Sequence, residues 1–235
     1  MTIIPVIDIL NGLVVHARHG ERSLYQPISS RLCHDPSPFA VIKAFLSLFP
    51  FNTIYIADLN AIMHKGDNRQ LIVDIVAEYS ELHFWIDAGQ KSPARDWPEQ
   101  VCPIIGTETG ISLKDLKDHQ SRNNYILSLD FRNGGLIGNP ELLSHPEYWP
   151  DKIIIMSLDK VGSHSGPDTG LIASIQSLTP NREIFIAGGI RESRDLFKLA
   201  GMGINGVLIA SALHNQNIDR ADLATYKKQI KKTPA

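Results

Sequence analysis

Short runs of apolar residues, separated by more polar segments, recur along the whole chain. Parallel strands that are covered by helices on both faces have this pattern, because neither face of such a sheet meets water. Eight runs predict eight strands, at residues 3–8, 53–58, 83–87, 102–106, 125–130, 152–159, 183–189 and 206–211.

Most of the segments between these runs have the apolar spacing of amphipathic helices. In residues 36–49 one apolar stripe begins at Phe39 and ends at Phe49, and Asp35 before Pro36 is typical of a helix start. The same spacing predicts further helices at residues 68–80, 112–120, 168–178, 193–202 and 222–232.

Alternating strands and helices predict a parallel α/β fold, and eight repeats in 235 residues fit a single (β/α)8 TIM barrel. The alternative is a doubly wound open sheet. Against it, the segment after the first strand has only Gly12, where a dinucleotide-binding sheet has G-x-G-x-x-G. No Pro/Gly/Ser-rich linker divides the chain, so we expect one domain over residues 1–235.

The two halves of the chain resemble each other. Asp8 and Asp130 each end a predicted strand and are each followed by an Asn-Gly pair. Further matches are Asp58 with Asp159, residues 86–92 with 186–193, and residues 104–108 with 208–212. We therefore predict a barrel built from two duplicated half-barrels, with duplicated sites on opposite sides of its mouth.

Composition narrows the function. The chain has 23 Lys and Arg, 25 Asp and Glu, and 43% hydrophobic residues, which excludes a disordered tail and a nucleic-acid binder that relies on bulk positive charge. Its apolar stretches are far too short to span a bilayer, and no secretory signal is recognisable. With only two cysteines, we expect a protein of the reducing cytoplasm. The charge and the short apolar stretches predict no nucleic-acid or membrane partner.

Aspartates stand at the ends of five predicted strands, where barrels of this kind place their active sites. They are Asp8, Asp58, Asp87, Asp130 and Asp159. Two carboxylates that face each other can act as base and acid, so Asp8 and Asp130 are the candidate catalytic pair. The alternative for each aspartate is a loop-holding role, accepting backbone N–H bonds, and it is stronger for the other three.

Small residues after the last two predicted strands favour phosphate binding, since backbone N–H groups there are not shielded by side chains. The candidates are Gly188, Gly189, Arg191, Ala210 and Ser211. A second phosphate site is predicted in the first half, at Gly89, Gly106 and Thr107. Asp87 and Glu108 place negative charge near this second site, whereas Lys91 favours an anion.

The small, polar segment 160–167 follows the sixth predicted strand and suits either a substrate-covering loop or an ordinary mobile one. His16 and His19 stand three residues apart, but the chain has no H-E-x-x-H motif and no nearby cysteine pair. We therefore expect no metal site.

Several segments carry a family resemblance. They are IIPVIDILNGLVV, IADLNAI, SLDFRNG, FIAGGIRES and GVLIASAL. The chain resembles the histidine-biosynthesis (β/α)8 barrels, above all the phosphoribosylformimino-5-aminoimidazole carboxamide ribotide isomerases. That family binds a substrate with a phosphate at each end and catalyses an Amadori rearrangement of an aminoaldose without metal or cofactor.

The resemblance implies a role for each candidate. Asp8 is similar to the general base that takes the sugar C2 proton, and Asp130 to the general acid that assists ring opening. Gly188, Gly189 and Ser211 resemble one phosphate site, and Gly89, Gly106 and Thr107 resemble the other. It also implies a small phosphorylated substrate, no cofactor and no glutaminase partner.

Three segments depart from the family pattern. The usual Gly-Gly-Gly after the third strand is Asp87-Ala88-Gly89-Gln90 here, and the usual Asp-Gly-Thr after the sixth is Val161-Gly162-Ser163. Ser163 keeps a hydroxyl donor and is the third candidate catalytic residue. The loop at residues 18–22 is more charged than the usual Gln-Gly-Asp. With these changes, the sequence resembles divergent isomerase-like paralogues associated with methanopterin-dependent one-carbon metabolism.

Three hypotheses therefore stay open. The first is a sugar-phosphate aldose-ketose isomerase, with the family substrate or an altered one. The second is another enzyme of a phosphorylated metabolite on the same scaffold, such as the one-carbon paralogue or the cyclase relative that needs a glutaminase. The third is a catalytically silent barrel that binds a phosphorylated ligand.

Overall fold

The structure, a computed structural model, describes residues 1–17, 24–90, 97–120, 124–161 and 166–230. Its strands, in chain order, are β1 (Thr2–Leu10), β2 (Leu13–Val15), β3 (Thr53–Asp58), β4 (His83–Asp87), β5 (Val101–Gly106), β6 (Ile126–Arg132), β7 (Gly135–Leu136), β8 (Lys152–Ser157), β9 (Glu183–Ala187) and β10 (Gly206–Ile209). Its helices are α1 (Pro38–Leu48), α2 (Leu59–Ile62), α3 (Arg69–Glu78), α4 (Leu113–His119), α5 (Thr169–Leu178), α6 (Ser193–Gly201), α7 (Ser211–His214) and α8 (Arg220–Ile230).

Eight of these strands form a closed parallel barrel. The order is β1-β3-β4-β5-β6-β8-β9-β10, and β10 pairs again with β1 from Thr2↔Gly206 to Pro5↔Ile209. Closure excludes the open-sheet alternative and confirms the predicted TIM barrel. In the described part of the chain, none of the helices is long and apolar enough to cross a membrane.

The predicted element ends differ from the observed ones where the chain turns sharply. β9 ends at Ala187, because Gly188 and Gly189 have φ of 94° and 83° and leave the strand. Helix α1 begins at Pro38, so the start predicted from Asp35 and Pro36 is wrong. Asp35 instead accepts a hydrogen bond from the backbone N of Ser37 in the turn before the helix.

The barrel interior is filled below the mouth. Its inward side chains form one buried cluster, which includes Ile4, Tyr55, Trp85, Ile104, Ile126, Ile154, Phe185 and Leu208. Trp85 and Phe185 meet edge to face at its centre, with ring centroids 4.7 Å apart. A larger cluster lies between the strands and the surrounding helices. Because side chains plug the barrel, only the ends of the strands are left to form a site.

Matched hairpins follow β1 and β6. Asn11-Gly12 and Asn133-Gly134 all have positive φ, between 51° and 80°, as tight two-residue hairpin turns require. Asn60 Oδ1 accepts a hydrogen bond from the backbone N of Asn11, at 2.7 Å. In the second hairpin, the carboxylate of Asp159 accepts hydrogen bonds from the backbone N of Asn133, at 3.1 and 3.2 Å. Each half of the barrel therefore fixes its hairpin with one side chain from the next strand end.

The strand registers show which residues of the two halves occupy corresponding places, while the duplication itself stays a prediction. In each half, one row of paired residues crosses four successive strands. The first row is Asp8, Ala57, Asp87 and Ile104, and the corresponding second row is Asp130, Met156, Ala187 and Leu208. The same registers place Asp58 opposite Ile9, and Ser157 opposite Phe131. The counterpart of Asp58 is therefore Ser157, and the match of Asp58 with Asp159 is wrong.

Asp58 holds the first half together from a buried position, with 1% of its surface exposed. Its carboxylate accepts hydrogen bonds from the backbone N of Ala61 and from the backbone N and side-chain Nδ2 of Asn68. Asn68 Oδ1 in turn accepts a bond from Gly12, in the first hairpin turn. Asp58 therefore links β3, α2 and the hairpin, and the loop-holding role describes it.

Replacing Asp58 should destabilise the fold strongly. Asp58→Ala leaves buried donors of Ala61 and Asn68 without an acceptor, and we expect a loss of about 2–4 kcal/mol in the free energy of unfolding. Urea unfolding measures it. Asp35→Ala, which removes an exposed turn carboxylate, is the control and should cost less than about 1 kcal/mol. Equal losses in the two variants would contradict the linking role.

Candidate active site

A cavity opens at the carboxyl ends of the barrel strands and contains about 1010 Å³ of space, part of it open to solvent. The structure brings six of the predicted site residues to its wall: Asp8, Asp130, Gly188, Gly189, Ala210 and Ser211. Strands β1 and β6, which carry the two aspartates, lie four positions apart in the ring of eight. Asp8 and Asp130 therefore reach the cavity from opposite sides.

Asp130 is held by one donor on its own strand and by two in the turn that follows β5, and it is 4% exposed. Ser128 Oγ donates to Oδ1 at 2.6 Å, while Thr107 Oγ1 and the backbone N of Glu108 donate to Oδ2 at 3.3 and 3.0 Å. A Cβ on Gly106 would stand 2.8 Å from Oδ2. Glycine at position 106 therefore leaves the room that this carboxyl group occupies.

Burial raises the pKa of Asp130 from its ordinary value of 3.8 to about 7. The hydrogen bonds from Ser128 and Glu108 lower the pKa, but the loss of hydration outweighs them, and the negative charges of Glu108 and Asp87 raise the pKa further. A carboxyl group with a pKa near 7 holds a proton in a large fraction of molecules at neutral pH. Asp130 can therefore donate that proton to a ligand.

Asp8 has different surroundings. It is half-buried at the cavity wall, in a part of β1 that pairs with both β2 and β3. Val6 stands on β1 where Ser128 stands on β6, so an apolar side chain takes the place of the hydroxyl that donates to Asp130. The two aspartates are thus related by position in the barrel and distinguished by environment.

Glycines shape the wall beyond β9. Gly188 and Gly189 have positive φ, and a Cβ would stand 2.5 Å from Ser157 O at Gly188 and 2.4 Å from Gly166 O at Gly189. Only glycine fits both the backbone conformation and the space. This wall therefore presents main chain rather than side chains to the cavity, as a phosphate site requires.

Arg191 and Ser211 flank those glycines with different partners. The guanidinium of Arg191 forms two hydrogen bonds with Asp195, at 3.0 and 3.1 Å, and is not part of the cavity wall. Ser211 lines the cavity, and its Oγ lies 3.1 Å from His16 Nε2. Arg191 therefore fixes the start of α6, while Ser211 reaches the cavity.

The predicted second phosphate site is arranged differently. Gly89, Gly106 and Thr107 are not part of the cavity wall. Thr107 is fully buried, and its hydroxyl accepts a bond from the backbone N of Asp130 in addition to donating to the carboxylate. The backbone N of Gly89 donates to Asp87 Oδ1. A phosphate role for these three residues stays a prediction.

Carboxylates dominate the cavity wall on this side. Asp87 and Glu108 line it, and Tyr55 donates to Asp87 Oδ2 at 3.4 Å. Burial, and then the charge of Asp87, raise the pKa of Tyr55 well above its ordinary value, so its phenol keeps its proton. Within the described residues, the basic side chains on the wall are Arg132 and Lys160.

The remaining candidates lie elsewhere. Asp159 holds the second hairpin, which is a loop-holding role. Ser163, Lys91 and the charged loop at residues 18–22 lie outside the described residues.

Tyr55 and Arg132 line the wall but were not predicted from the sequence, and Lys160 was predicted only as part of the loop segment 160–167. Arg132 could have been found, because it stands two residues after Asp130 on the same strand and side chains alternate with a period of two. The same period relates Tyr55 to Ala57, which also lines the cavity.

The chain is similar in sequence to known proteins. Residues 2–219 match the model of a family described as "Histidine biosynthesis protein". An uncharacterized protein of Methanocaldococcus jannaschii is 33% identical over 229 residues, covering 95% of this chain and 97% of the relative.

More distant relatives are named 1-(5-phosphoribosyl)-5-((5-phosphoribosylamino)methylideneamino) imidazole-4-carboxamide isomerase. The one from Myxococcus xanthus is 25% identical and covers 95% of this chain and 98% of its own. The one from Thermococcus kodakarensis is 22% identical and covers 99% and 100%.

The raised pKa of Asp130 should make the protein less stable as pH rises. The folded state holds this proton more tightly than the unfolded chain does, so stability falls between about pH 4 and pH 7. Asp130→Asn removes this pH-dependent contribution to the free energy of unfolding. Its free energy of unfolding relative to the natural protein should therefore rise by about 2–4 kcal/mol from pH 4 to pH 8. Denaturant unfolding at each pH measures the difference, and a pH-independent difference would contradict the raised pKa.

Proposed function

The chain belongs to the histidine biosynthesis protein family, and on that premise we propose that it is a sugar-phosphate aldose-ketose isomerase. One observation carries the proposal. Asp8 and Asp130 reach the same cavity from opposite sides, and burial raises the pKa of Asp130 to about 7, which favours a proton on this carboxyl group near neutral pH. A proton donor and an acceptor on opposite faces of a bound sugar are what an Amadori rearrangement needs.

Ring opening is the step for Asp130. Its proton passes to the ring oxygen of the aminoaldose as the bond between C1 and that oxygen breaks. The nitrogen lone pair forms the C1=N bond, which gives an open-chain iminium ion and leaves Asp130 as a carboxylate. The hydrogen bonds from Ser128, Thr107 and Glu108 stabilise that carboxylate once it forms.

Proton transfer at C2 is the step for Asp8. Its carboxylate takes the C2 proton, and the electron pair forms the C1=C2 bond as the iminium nitrogen is neutralised. Asp8 then returns this proton to C1, and the 2-hydroxyl proton passes to Asp130 as the C2 carbonyl forms. Both carboxyl groups are restored, so the reaction needs no external acid, base or oxidant.

The substrate carries a phosphate at the β9–β10 end in this proposal. Main chain at Gly188 and Gly189 and the hydroxyl of Ser211 form that end of the cavity, and the ring of His16 lies against that hydroxyl. Phosphate oxygens accept hydrogen bonds from such groups, and small residues allow them to come close.

The other end of the substrate differs from a phosphate. Asp87 and Glu108 line the cavity there, and a phosphate dianion beside two carboxylates is repelled. We infer an altered substrate whose second end donates hydrogen bonds, such as an amine or an amino-substituted ring. This favours a divergent isomerase over one that acts on the bis-phosphoribosyl compound in the distant relatives' name.

A phosphate at one end only should be visible as thermal stabilisation by a half-substrate. Ribose 5-phosphate should raise the melting temperature, because a ligand that binds the folded state stabilises it by about 1.4 kcal/mol at ten times its Kd. Ser211→Glu places a carboxylate at that end and should abolish the shift. Ser177→Glu, on the exposed face of α5, is the control and should keep it. Equal shifts in both variants would place the phosphate elsewhere.

Growth of a histidine auxotroph that lacks the ribotide isomerase tests the substrate. The inferred altered substrate predicts that the natural sequence fails to rescue growth although the protein is folded. Rescue by the natural sequence and loss of rescue with Asp8→Asn would establish the ribotide isomerase activity and overturn the altered second end.

Turnover tests the reaction type. Candidate phosphorylated aminoaldoses identified by thermal stabilisation should be converted to ketoses, and Asp8→Asn and Asp130→Asn should each lower kcat by at least about 100-fold. Ligand binding with no turnover of any stabilising aminoaldose, and unchanged or tighter binding in Asp8→Asn, would support the silent barrel instead.

A further inference from the structure

A small side cavity lies behind Asp8. It contains about 290 Å³ of space, and its polar wall is formed by Asp8, His16, Ser211 and His214, with valine, alanine and isoleucine side chains around them. Asp8 and Ser211 also line the main cavity, so the two spaces share a wall. Part of this space is open to solvent, and the enclosed part has room for about one water molecule.

His214 is the most buried polar group on this wall, with 2% of its surface exposed. Its Nδ1 lies 2.9 Å from Ser30 Oγ, and its ring packs on Phe45 with centroids 4.9 Å apart. The other ring nitrogen, Nε2, is buried and has no hydrogen-bond partner among the described protein atoms. Burial, and then the charge of His16, lower the pKa of His214 to about 4, so the ring is neutral.

A buried ring nitrogen without a partner is costly, and proteins commonly satisfy such groups with an ordered water. A water on the wall shared with Asp8 would be within reach of a carboxylate, which is a strong acceptor. A neutral imidazole nitrogen either donates to that water or accepts from it, and the water keeps a hydrogen for the carboxylate in both cases.

In the opposite half of the barrel, a hydroxyl group contacts the corresponding aspartate directly. Thr107 follows β5 and donates directly to the Asp130 carboxylate, at 3.3 Å. Its counterpart after β10 is Ser211, whose Oγ instead lies 3.1 Å from His16 Nε2. The hydroxyl that supports one aspartate is therefore engaged by a histidine in the other half.

We propose that the side cavity is a buried water site that joins His214 Nε2 to the Asp8 carboxylate, with His214 as a positioning residue for Asp8. The water donates to Asp8 and holds its carboxylate in place from behind the substrate. His16, the other titratable ring on this wall, holds Ser211 toward the phosphate end. The part of this proposal that concerns catalysis rests on the proposed function, whereas the water site does not.

A crystal structure and a titration test the water site. We expect an ordered water within hydrogen-bond distance of both His214 Nε2 and an Asp8 carboxylate oxygen. His214→Asn keeps a polar atom near Ser30 and removes Nε2, so the water should be lost. The pKa of Asp8, followed by carbon NMR of labelled aspartate, should then rise by about 0.5–1 units, because its carboxylate loses a donor.

Two further variants separate the proposed role from a general packing effect. His214→Gln places a polar atom near the former Nε2 and should retain the water and the pKa of Asp8. Ser30→Ala removes the partner of Nδ1 but leaves Nε2, and should also leave the pKa of Asp8 in place. A natural protein with no water bridging His214 and Asp8, or a His214→Asn variant with an unchanged pKa of Asp8, would overturn the proposal.

Kinetics then separate this proposal from the proposed function. Once a substrate is turned over, His214→Asn should lower kcat by about 3–10-fold at unchanged KM, with partial rescue in His214→Gln. If the water and the shift in the pKa of Asp8 are found but Asp8→Asn does not affect turnover, the proposed function fails and the water site stands. If Asp8 is essential for turnover but no bridging water is found, the proposed function stands and the water site fails.

Discussion

The site depends on the desolvation of one carboxyl group. Asp130 sits below the rim of the barrel, where Gly106 leaves it space and where Ser128, Thr107 and Glu108 supply donors. Burial outweighs those donors in setting its pKa. With a pKa of about 7, this carboxyl group keeps its proton in a large fraction of molecules at neutral pH and can pass it to a bound ligand.

The two aspartates have matched positions in the barrel, and different residues surround them. The hairpins and ladder registers place Asp8 and Asp130 alike. Val6 in place of Ser128 changes the near neighbour of Asp8, and Ser211 faces His16 where Thr107 faces Asp130. Under the proposed function, these different surroundings allow Asp130 to act as the acid and Asp8 as the base.

Much of the fold could be predicted from the sequence, because buried parallel strands leave continuous apolar runs and each of the eight runs became a barrel strand. Contacts between distant segments could not be predicted. The burial of Thr107 against Asp130 and the pairing of Arg191 with Asp195 depend on how strands and loops meet in space. Side-chain alternation along β6 could have indicated Arg132 on the cavity wall, but not that Glu108 lines the same cavity.

The most direct test is the titration of the Asp130 carboxyl group in the folded protein. Infrared difference spectra between acid and alkaline pH, with Asp130→Asn as the reference, isolate its C=O stretch. The account predicts loss of the protonated band with a midpoint near pH 7. A midpoint near pH 4, the ordinary value for an aspartate, would show that Asp130 is ionised at neutral pH and cannot be the proton donor.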